Sequence, residues 1–347
     1  MVEPKIVLER VTKLYGSRPE RALASLQATG NPGAGASLGV CDVSLSIPQG
    51  QTFVLMGLSG SGKSTLLRLL NGLHRPTSGR VTVAGTDLAH LKRRQLVRFR
   101  RQTYSGMVFQ GFALLPYRTA LENVAFGLEL QGVAKRERLE RAQAALALVG
   151  LGGQEEVYPA ALSGGMQQRL GLARALTLNG DILLMDEPFS ALDPITRREL
   201  QDELLRLQVN VKKTTVLVTH DLNEALKLGD HIAILKEGRV QQVGTPEDIV
   251  ARPKNAYVAA FVAGVNKAAV LTASSIMSVL GDMSDSTLAA AHTVKPDTPL
   301  AEVIRITAVD ARVLSVVNDL GQLLGVITQQ DVLAALAAPQ PTFENSA

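Results

Sequence analysis

Two hydrophobic patterns run along the first 250 residues. Residues 6–11 and 40–47 alternate apolar with polar side chains, as half-buried strands do. Residues 52–56 are apolar, and glycines and then leucines at helical spacing follow them. Further apolar segments lie at positions 106–109, 182–185, 215–219 and 231–235. Strands that alternate with helices predict an α/β domain.

Interruptions of this pattern predict the domain organisation. Residues 17–39 combine a short helix-like stretch with a Gly- and Pro-rich end, which is typical of an insertion in a loop. Between about residues 111 and 178 helical periodicity replaces the strand pattern, so we expect a helical subdomain there. The predicted parts are a domain over residues 1–250, a linker over 251–270, a small α+β module over 271–338 and a flexible tail over 339–347.

Composition narrows the class of protein. Of the 347 residues, 46% are hydrophobic and 20% are charged, which is ordinary for a folded protein and excludes a disordered chain. The single cysteine, Cys41, excludes an intramolecular disulfide and fits a reducing cytosol. We find neither an apolar run long enough to cross a bilayer nor a secretory leader, and we expect a cytoplasmic protein.

Charge is unevenly distributed. The net charge is +4, and counting along the sequence gives 3 Lys/Arg against 8 Asp/Glu, or −5, after residue 270. The remaining 33 Lys/Arg against 24 Asp/Glu give +9 for residues 1–270. A basic body leaves nucleic acid, an anionic membrane surface and a nucleotide open as partners.

A glycine-rich loop follows the strand predicted at residues 52–56. It reads Gly57-Leu58-Ser59-Gly60-Ser61-Gly62-Lys63-Ser64. This is the phosphate-loop pattern G-x-x-x-x-G-K-[ST], in which glycines let backbone N–H groups turn towards a β-phosphate. Lys63 supplies a positive charge to the phosphates, and the Ser64 hydroxyl is a ligand for Mg²⁺. The alternative is a flexible Gly/Ser linker, which the flanking strand and helix argue against.

Acidic residues end the strand predicted at 182–185. Asp186 is suited to hold Mg²⁺, and Glu187 is placed to polarise an attacking water. The alternative is a core strand that ends in two solvated acids. The phosphate loop earlier in the sequence argues against this alternative. Gln110 and His220 each follow a predicted strand. The functional interpretation is that Gln110 contacts the Mg²⁺ or the water and that His220 contacts the γ-phosphate.

A second anion site is predicted in the helical region. The segment reads Leu162-Ser163-Gly164-Gly165-Met166-Gln167-Gln168-Arg169. Ser163 fits an N-cap, and the N–H groups of Gly164 and Gly165 are then free at the start of a helix. One nucleotide does not explain two anion sites in one chain.

Taken in order, these motifs resemble the nucleotide-binding subunit of ABC transporters. The motifs on which this resemblance rests are the phosphate loop, Gln110, the 163–167 segment, Asp186-Glu187, Ser190-Ala191-Leu192-Asp193 and His220. The resemblance covers roughly residues 5–260 and implies an ATPase that uses ATP and Mg²⁺. It assigns catalysis to Glu187, His220 and Gln110, and the metal to Ser64, Gln110 and Asp186. The implied nucleotide-binding residues are Tyr15 (stacking on adenine), Gly57, Ser59, Gly60, Ser61, Gly62, Lys63, Ser64, Thr65, Ser163, Gly164, Gly165, Met166 and Asp193.

The family also implies an assembly. Two subunits pair head to tail, so that residues 163–165 of one close over the ATP of the other. Integral-membrane permease subunits hold this homodimer at the cytoplasmic face of the inner membrane, and an extracytoplasmic solute-binding protein acts indirectly. Met166 departs from the family, which usually has Gln there, but Ser163 and both glycines are intact.

Within the family the chain is similar to the subunits of quaternary-ammonium importers of the glycine betaine/choline type. The segments on which this similarity rests include the 17–39 insertion, Met166-Gln167-Gln168-Arg169 and Thr219-His220-Asp221-Leu222-Asn223-Glu224-Ala225. An importer for another solute, such as an amino acid, is the alternative within the class. A non-transport ABC ATPase acting on nucleic acid is disfavoured, because neither a second cassette nor a long coiled-coil insertion is present.

The C-terminal module resembles a single CBS motif. Its carriers are the segments 293–300 and 325–331. Thr328 and Asp331 match residues that hold the ribose of an adenine nucleotide in such domains, so an adenine nucleotide is a further implied partner. A helix cap at Thr328 is an equally weighted alternative.

Overall fold

A computed structural model describes residues 3–109, 111, 113–190, 192–278, 292–309 and 313–337. Its contacts divide the chain into two compact units, residues 1–240 and 241–347. Gln110, Ala191, the predicted tail 339–347 and residues 279–291, 310–312 and 338 of the predicted C-terminal module lie outside the described residues.

Ten strands belong to two sheets. They are β1 (Pro4–Tyr15), β2 (Ser37–Pro48), β3 (Thr52–Met56), β4 (Ser78–Val83), β5 (Thr86–Asp87), β6 (Tyr104–Val108), β7 (Ile182–Asp186), β8 (Thr214–Thr219), β9 (His231–Lys236) and β10 (Arg239–Gly244). The smaller sheet has the order β2-β1-β4-β5, and all its neighbours are antiparallel. Along β2, inward Val43, Leu45 and Ile47 alternate with exposed polar residues, as predicted.

The larger sheet positions the predicted site. Its order is β10-β9-β3-β8-β7-β6, and β3, β6, β7, β8 and β9 run parallel. Every residue of β3 and β8 is buried, which explains why these strands are mostly apolar, with threonines at their ends. Parallel strands place their carboxyl ends at one edge of the sheet, and the phosphate loop, Asp186-Glu187 and His220 all follow such ends.

Helices surround this sheet. Those of the first unit are α1 (Pro19–Thr29), α2 (Lys63–Leu70), α3 (Arg93–Thr103), α4 (Ala120–Leu130), α5 (Lys135–Leu148), α6 (Gly164–Leu176), α7 (Pro194–Val211) and α8 (Leu222–Leu228). Helix α1 lies in the predicted insertion, and its Ala22 and Leu26 pack on Leu14 and Cys41. Helices α4, α5 and α6 pack together and form the predicted helical region.

The second unit contains the rest of the chain. Its helices are α9 (Pro246–Ala251), α10 (Ala256–Val262), α11 (Lys267–Val270), α12 (Ala273–Ile276), α13 (Leu300–Val309) and α14 (Gln329–Leu336). Strands β11 (Thr293–Val294), β12 (Leu314–Val317) and β13 (Leu323–Ile327) form a sheet in the order β11-β12-β13. The segment 251–270, predicted as a linker, carries α10 and α11. None of the helices in the described ranges has the length and apolar character to cross a bilayer.

Candidate functional site

The phosphate loop joins β3 to α2 in a conformation that needs glycine. Gly57, Gly60 and Gly62 have φ values of 156°, 79° and 102°. A Cβ on Gly57 would lie 2.4 Å from the Leu235 carbonyl oxygen, and one on Gly62 would lie 2.5 Å from that of Gly39. These positions therefore exclude side chains, and the loop wraps tightly around the start of α2.

Lys63 lies buried at the centre of this loop. Its ammonium donates to the carbonyl oxygens of Gly57 at 2.7 Å and Leu58 at 2.9 Å. These bonds use two of its three N–H donors, so one remains for a ligand. Burial lowers the pKa of Lys63, while the carboxylates of Glu187 and Asp186 oppose that shift. An anion at the loop would add the negative charge that favours the ammonium form.

Ser64 and Asp186 meet across the sheet edge. The Ser64 hydroxyl donates to Oδ1 of Asp186 at 3.1 Å. Burial raises the pKa of Asp186, partly offset by this hydrogen bond and by Arg68. A hydroxyl and a carboxylate are oxygen ligands that Mg²⁺ accepts, together with phosphate oxygens and water. No cluster of three or more His, Cys, Asp or Glu side chains suited to a metal occurs among the described residues.

A buried hydroxyl in the same loop supports a ligand-binding role. Oγ of Ser61 is buried and has no hydrogen-bond partner in the protein. An unpaired buried polar atom is costly unless a ligand or water satisfies it. Ser61 therefore fits a loop that receives a polar group. Ser59 and Gly60 lie exposed at the tip of this loop.

Glu187 and His220 form the next pair. Oε2 of Glu187 lies 3.2 Å from Nδ1 of His220. Glu187 has a φ of 48°, and its N–H donates to the Val218 carbonyl oxygen at 3.0 Å. The neighbouring strand thus holds this uncommon backbone conformation in place. The carboxylate lies one residue beyond Asp186, where it can accept a proton from a water bound beside a phosphate.

Tyr15 lies beside the loop at its outer side. Its hydroxyl is 3.3 Å from Oγ1 of Thr65, and its ring makes an edge contact with His74. The Lys13 ammonium lies 5.3 Å from the ring centroid. Tyr15 is thus held next to the phosphate loop, as an adenine-stacking side chain requires.

Ser163 is the N-cap of helix α6, and Gly164 to Met166 form its first turn. The Ser163 hydroxyl accepts from the Met166 N–H at 3.3 Å, which confirms the predicted N-cap. Ser163 and Gly164 are exposed, whereas a Cβ on Gly165 would lie 2.7 Å from Cγ2 of Thr196. Among the described residues no hydrogen bond or ion pair joins this motif to residues 57–65. The structure places the phosphate-loop residues around Lys63 and leaves Ser163 and Gly164 exposed at the start of α6.

Asp193 caps helix α7. Its Oδ1 accepts from the N–H groups of Ile195 at 3.0 Å and Thr196 at 3.1 Å. Hydrogen bonds from Thr196, through its hydroxyl and its N–H, lower the pKa of Asp193. Upstream, the Ser190 hydroxyl donates to the Glu187 carbonyl oxygen at 3.0 Å. The segment before α7 is thereby tied to the residue that we assign to water activation.

Sequence patterns did not single out Arg197 and Glu224. Arg197 donates to the Leu192 carbonyl oxygen at 3.2 Å and pairs with Asp221 at 3.5 Å. Glu224 is 5% exposed and accepts from the Thr219 hydroxyl at 2.6 Å. The available signal was a glutamate in the first turn after His220.

In the second unit, Thr328 and Asp331 form a helix cap. The Thr328 hydroxyl donates to Oδ2 of Asp331 at 2.6 Å and accepts from its N–H at 3.1 Å. Ser278 donates to the other carboxylate oxygen, Oδ1, at 3.2 Å. Both carboxylate oxygens therefore already have partners in the protein.

Comparisons with known proteins agree with these motifs. A family model described as "ABC transporter" matches residues 40–190, and one described as "CBS domain" matches residues 281–338. The glycine betaine/carnitine transport ATP-binding protein GbuA of Listeria monocytogenes is 52% identical over 279 residues, 79% of this chain and 70% of that protein. The trimethylamine N-oxide transport system ATP-binding protein TmoW of Ruegeria pomeroyi is 43% identical over 344 residues, 97% of this chain and 98% of that protein.

A solved structure shares the fold. The ATP-binding cassette MJ0796, a dimer in a post-hydrolysis state with ADP and Pi, is 36% identical, with a TM-score of 0.61. The match covers 70% of this chain and 98% of that chain.

Proposed function

This chain belongs to the family of ABC-transporter ATP-binding proteins, and from that premise we propose that it is the ATP-hydrolysing motor of an importer for a quaternary-ammonium osmoprotectant. The observation that carries the ATPase assignment is the convergence of Lys63, Ser64, Asp186, Glu187 and His220 at one edge of the parallel sheet. The solute class rests on the relatives, which transport glycine betaine, carnitine or trimethylamine N-oxide. Glycine betaine and choline are the solutes to test first.

We assign the binding of ATP to the phosphate loop. Backbone N–H groups of residues 57–65 and the Lys63 ammonium face the phosphates, and Tyr15 stacks on adenine. Ser64 and Asp186 would hold Mg²⁺, as Gln110 would in the family pattern. When bound, the metal neutralises charge on the β- and γ-phosphates.

We assign hydrolysis to Glu187 and His220. The Glu187 carboxylate orients a water and takes up its proton, because it lies next to the metal-binding carboxylate and is only partly exposed. His220 keeps this carboxylate in place through the 3.2 Å contact and reaches towards the γ-phosphate. Gln110 completes the set that the family assigns to catalysis.

The outward position of the second anion site supports a homodimer. Ser163, Gly164 and Gly165 have no bond to the phosphate loop of their own chain among the described residues. Their N–H groups lie at the positive end of a 13-residue helix, which attracts phosphate. We therefore propose that they close over the ATP of a partner subunit in head-to-tail pairing, with Met166 and Asp193 beside them.

An exposed segment supports a permease contact. Tyr117 is 92% exposed and follows Leu115, whose backbone is fixed by hydrogen bonds with the buried side chain of Asn123. A large exposed aromatic on a rigid support is typical of an interface anchor. We propose that permease subunits dock here and hold the dimer at the cytoplasmic membrane face. The solute-binding protein then acts through the permease.

A reconstituted transporter tests this function. The complex of this chain with its permease and binding protein is assayed for ATP hydrolysis and for uptake of labelled glycine betaine, choline and trimethylamine N-oxide. We expect uptake of at least one of them to require ATP. Glu187→Gln should keep ATP binding and lower turnover roughly 100- to 10,000-fold, because only the proton acceptor is removed.

The matched control is Glu203→Gln on α7, which should hydrolyse ATP at the wild-type rate. Near wild-type turnover of Glu187→Gln would remove Glu187 from the mechanism. ATP-dependent uptake of an amino acid instead of the methylated solutes would contradict the solute class alone.

A further inference from the structure

The backbone turn that carries His220 is clamped from both sides. Thr219 ends β8, and Asp221 caps α8 by accepting from the N–H groups of Asn223 at 2.8 Å and Glu224 at 3.4 Å. The Asp221 N–H donates to the Thr219 hydroxyl at 3.0 Å. That hydroxyl in turn donates to Oε2 of Glu224 at 2.6 Å. The backbone turn at His220 is thus constrained by its two neighbours and by Glu224.

Arg197, from helix α7, reaches this clamp. Its Nη1 lies 3.5 Å from Oδ2 of Asp221, and its Nε lies 3.8 Å from Oε1 of Glu224. On the other side, Nη2 donates to the Leu192 carbonyl oxygen at 3.2 Å. The Arg197 N–H donates to the Asp193 carbonyl oxygen at 2.9 Å. A single guanidinium therefore connects the start of α7 with the turn that carries His220.

One polar atom of this connection is unsatisfied. Nε of Arg197 is buried and forms no hydrogen bond, although the carboxylate of Glu224 lies 3.8 Å away. Burial raises the pKa of that carboxyl group. Shortening the separation by roughly 0.6–0.9 Å would complete a hydrogen bond, so a small displacement of α7 changes how well the two groups pair.

The start of α7 also touches the second anion site. Thr196 lies against Gly165, where even a Cβ would come within 2.7 Å of its Cγ2. Because the two turns are in direct contact, a displacement of the first turn of α6 also displaces the first turn of α7. Arg197 is the next residue along.

We propose that Arg197 is a positioning residue, which transmits the position of the ATP-closing motif at residues 163–165 to His220 and its contact with Glu187. This inference rests on the proposed function, because it assumes that the motif closes over the ATP of a partner subunit. Among the described residues, the Arg197 side chain contacts Asp221, Glu224 and the Leu192 carbonyl oxygen. It therefore sets how fast bound ATP is hydrolysed, without setting how tightly ATP binds.

Steady-state kinetics of the full-length chain test the inference. For Arg197→Ala we expect kcat to fall roughly 10- to 100-fold, since small misplacements of a catalytic group have that effect. KM and the Kd for ATP should stay within about twofold of wild type, because Lys63 and the phosphate loop are untouched. Arg197→Lys should recover part of the rate, since its ammonium reaches the same carboxylates.

Arg198→Ala is the matched control. Arg198 is the next residue on α7 and is exposed, so its loss should leave kcat unchanged. The double variant Arg197→Ala/Asp221→Asn should be no slower than the slower single variant, because both changes break one connection.

Three results would overturn the inference. They are a wild-type kcat for folded Arg197→Ala, a fall in ATP affinity that parallels the fall in kcat, and additive losses in the double variant. Should Arg197→Ala fail to fold, Arg197→Lys decides: a lowered kcat at unchanged Kd supports the connection, and an unchanged kcat refutes it. If the wild-type chain has no ATPase activity, the proposed function is contradicted as well. If the wild type is active and Arg197→Ala has the same kcat, only the inference is contradicted.

Discussion

Glu187 and Glu224 lie in different environments near the turn that carries His220. Glu187 is partly exposed, lies one residue from Asp186, which we propose holds Mg²⁺, and its Oε2 contacts the His220 ring. Glu224 is almost fully buried and is held by the Thr219 hydroxyl and by proximity to Arg197. Because Glu187 is accessible to water, it is suited to proton transfer. Because Glu224 is shielded from water, it is suited to holding the turn.

Burial of Glu224 gives a pH-dependent stability. Its pKa in the folded chain is raised above the usual value of 4.5, chiefly by burial. The folded state therefore binds this proton more tightly than the unfolded state does, and stability falls as pH rises from about 4.5 through the folded pKa. We expect Glu224→Gln, which cannot ionise, to lack this decrease.

Urea unfolding of wild type and Glu224→Gln at several pH values between 4.5 and 7 checks this prediction. The free energy of unfolding of the variant should improve relative to wild type as pH rises, whatever its absolute value. The exposed Glu156 provides the control, since Glu156→Gln should track wild type at every pH. Parallel curves for wild type and Glu224→Gln would contradict the assignment.

Single residues of the site differ in how far sequence predicts them. Lys63, Ser64 and Asp186 follow from local motifs, because a phosphate loop and a strand end fix their chemistry. Arg197 does not, because its contacts are with Asp221 and Glu224, 24 and 27 residues further on, and only the fold brings them together.

At the scale of elements, the first turns of α6 and α7 approach closely at Gly165 and Thr196. A Cβ on Gly165 would lie 2.7 Å from Cγ2 of Thr196, closer than side chains tolerate. We expect Gly165→Ala to displace the start of α6 and lower ATP turnover roughly tenfold or more, because positioning errors of this size impair catalysis. Thr196→Ser removes that methyl group and keeps the hydroxyl that bonds to Asp193.

The double variant Gly165→Ala/Thr196→Ser should therefore recover most of the turnover, as measured by phosphate release. The single variant Thr196→Ser should be close to wild type. A double variant as slow as Gly165→Ala would mean that the added methyl obstructs the nucleotide of the partner instead of α7.

A second prediction at this scale concerns the segment before α4, which carries Tyr117. Tyr117 is 92% exposed, so its replacement leaves the packing of the chain intact. In the complete transporter we expect Tyr117→Ser to reduce uptake roughly tenfold, as the loss of an aromatic anchor does at an interface. ATP hydrolysis by the isolated subunit should not change.

Tyr158→Ser is the matched control, because Tyr158 is a half-exposed tyrosine of the same helical region. It should leave uptake unchanged. Equal loss of hydrolysis and uptake in Tyr117→Ser would indicate damage to the fold and contradict docking at this segment.

Elements, too, were predicted unevenly. Strands β3, β7, β8 and β9 carry continuous apolar runs and matched their expected positions closely. Helices α10 and α11 lie where Pro253 and Gly264 favoured an irregular linker. They are short, and α10 is held by burial of Val258 and Val262 and begins at the N-cap Asn255.

At the scale of the whole molecule, the second unit contains none of the residues assigned to ATP binding or hydrolysis. Its resemblance to a CBS domain implies an adenine nucleotide at Thr328 and Asp331. The contacts favour the alternative of a helix cap, because the Thr328 hydroxyl and both oxygens of Asp331 are already used within the unit. A ribose hydroxyl would have to share these oxygens with the hydrogen bonds of the cap.

We therefore expect one ATP to bind per chain, at the phosphate loop, and none at the second unit. Calorimetric titration of the full-length chain should give a stoichiometry near one for ATP. Lys63→Ala should weaken binding strongly, because the buried charge that faces the phosphates is lost. Titration of Lys63→Ala with AMP, which lacks the β- and γ-phosphates that we assign to Lys63, reports on the second unit and should give no heat of binding. Saturable AMP binding to Lys63→Ala that disappears in Lys63→Ala/Asp331→Asn would instead place a regulatory nucleotide in the second unit, with the helix cap opening to receive it.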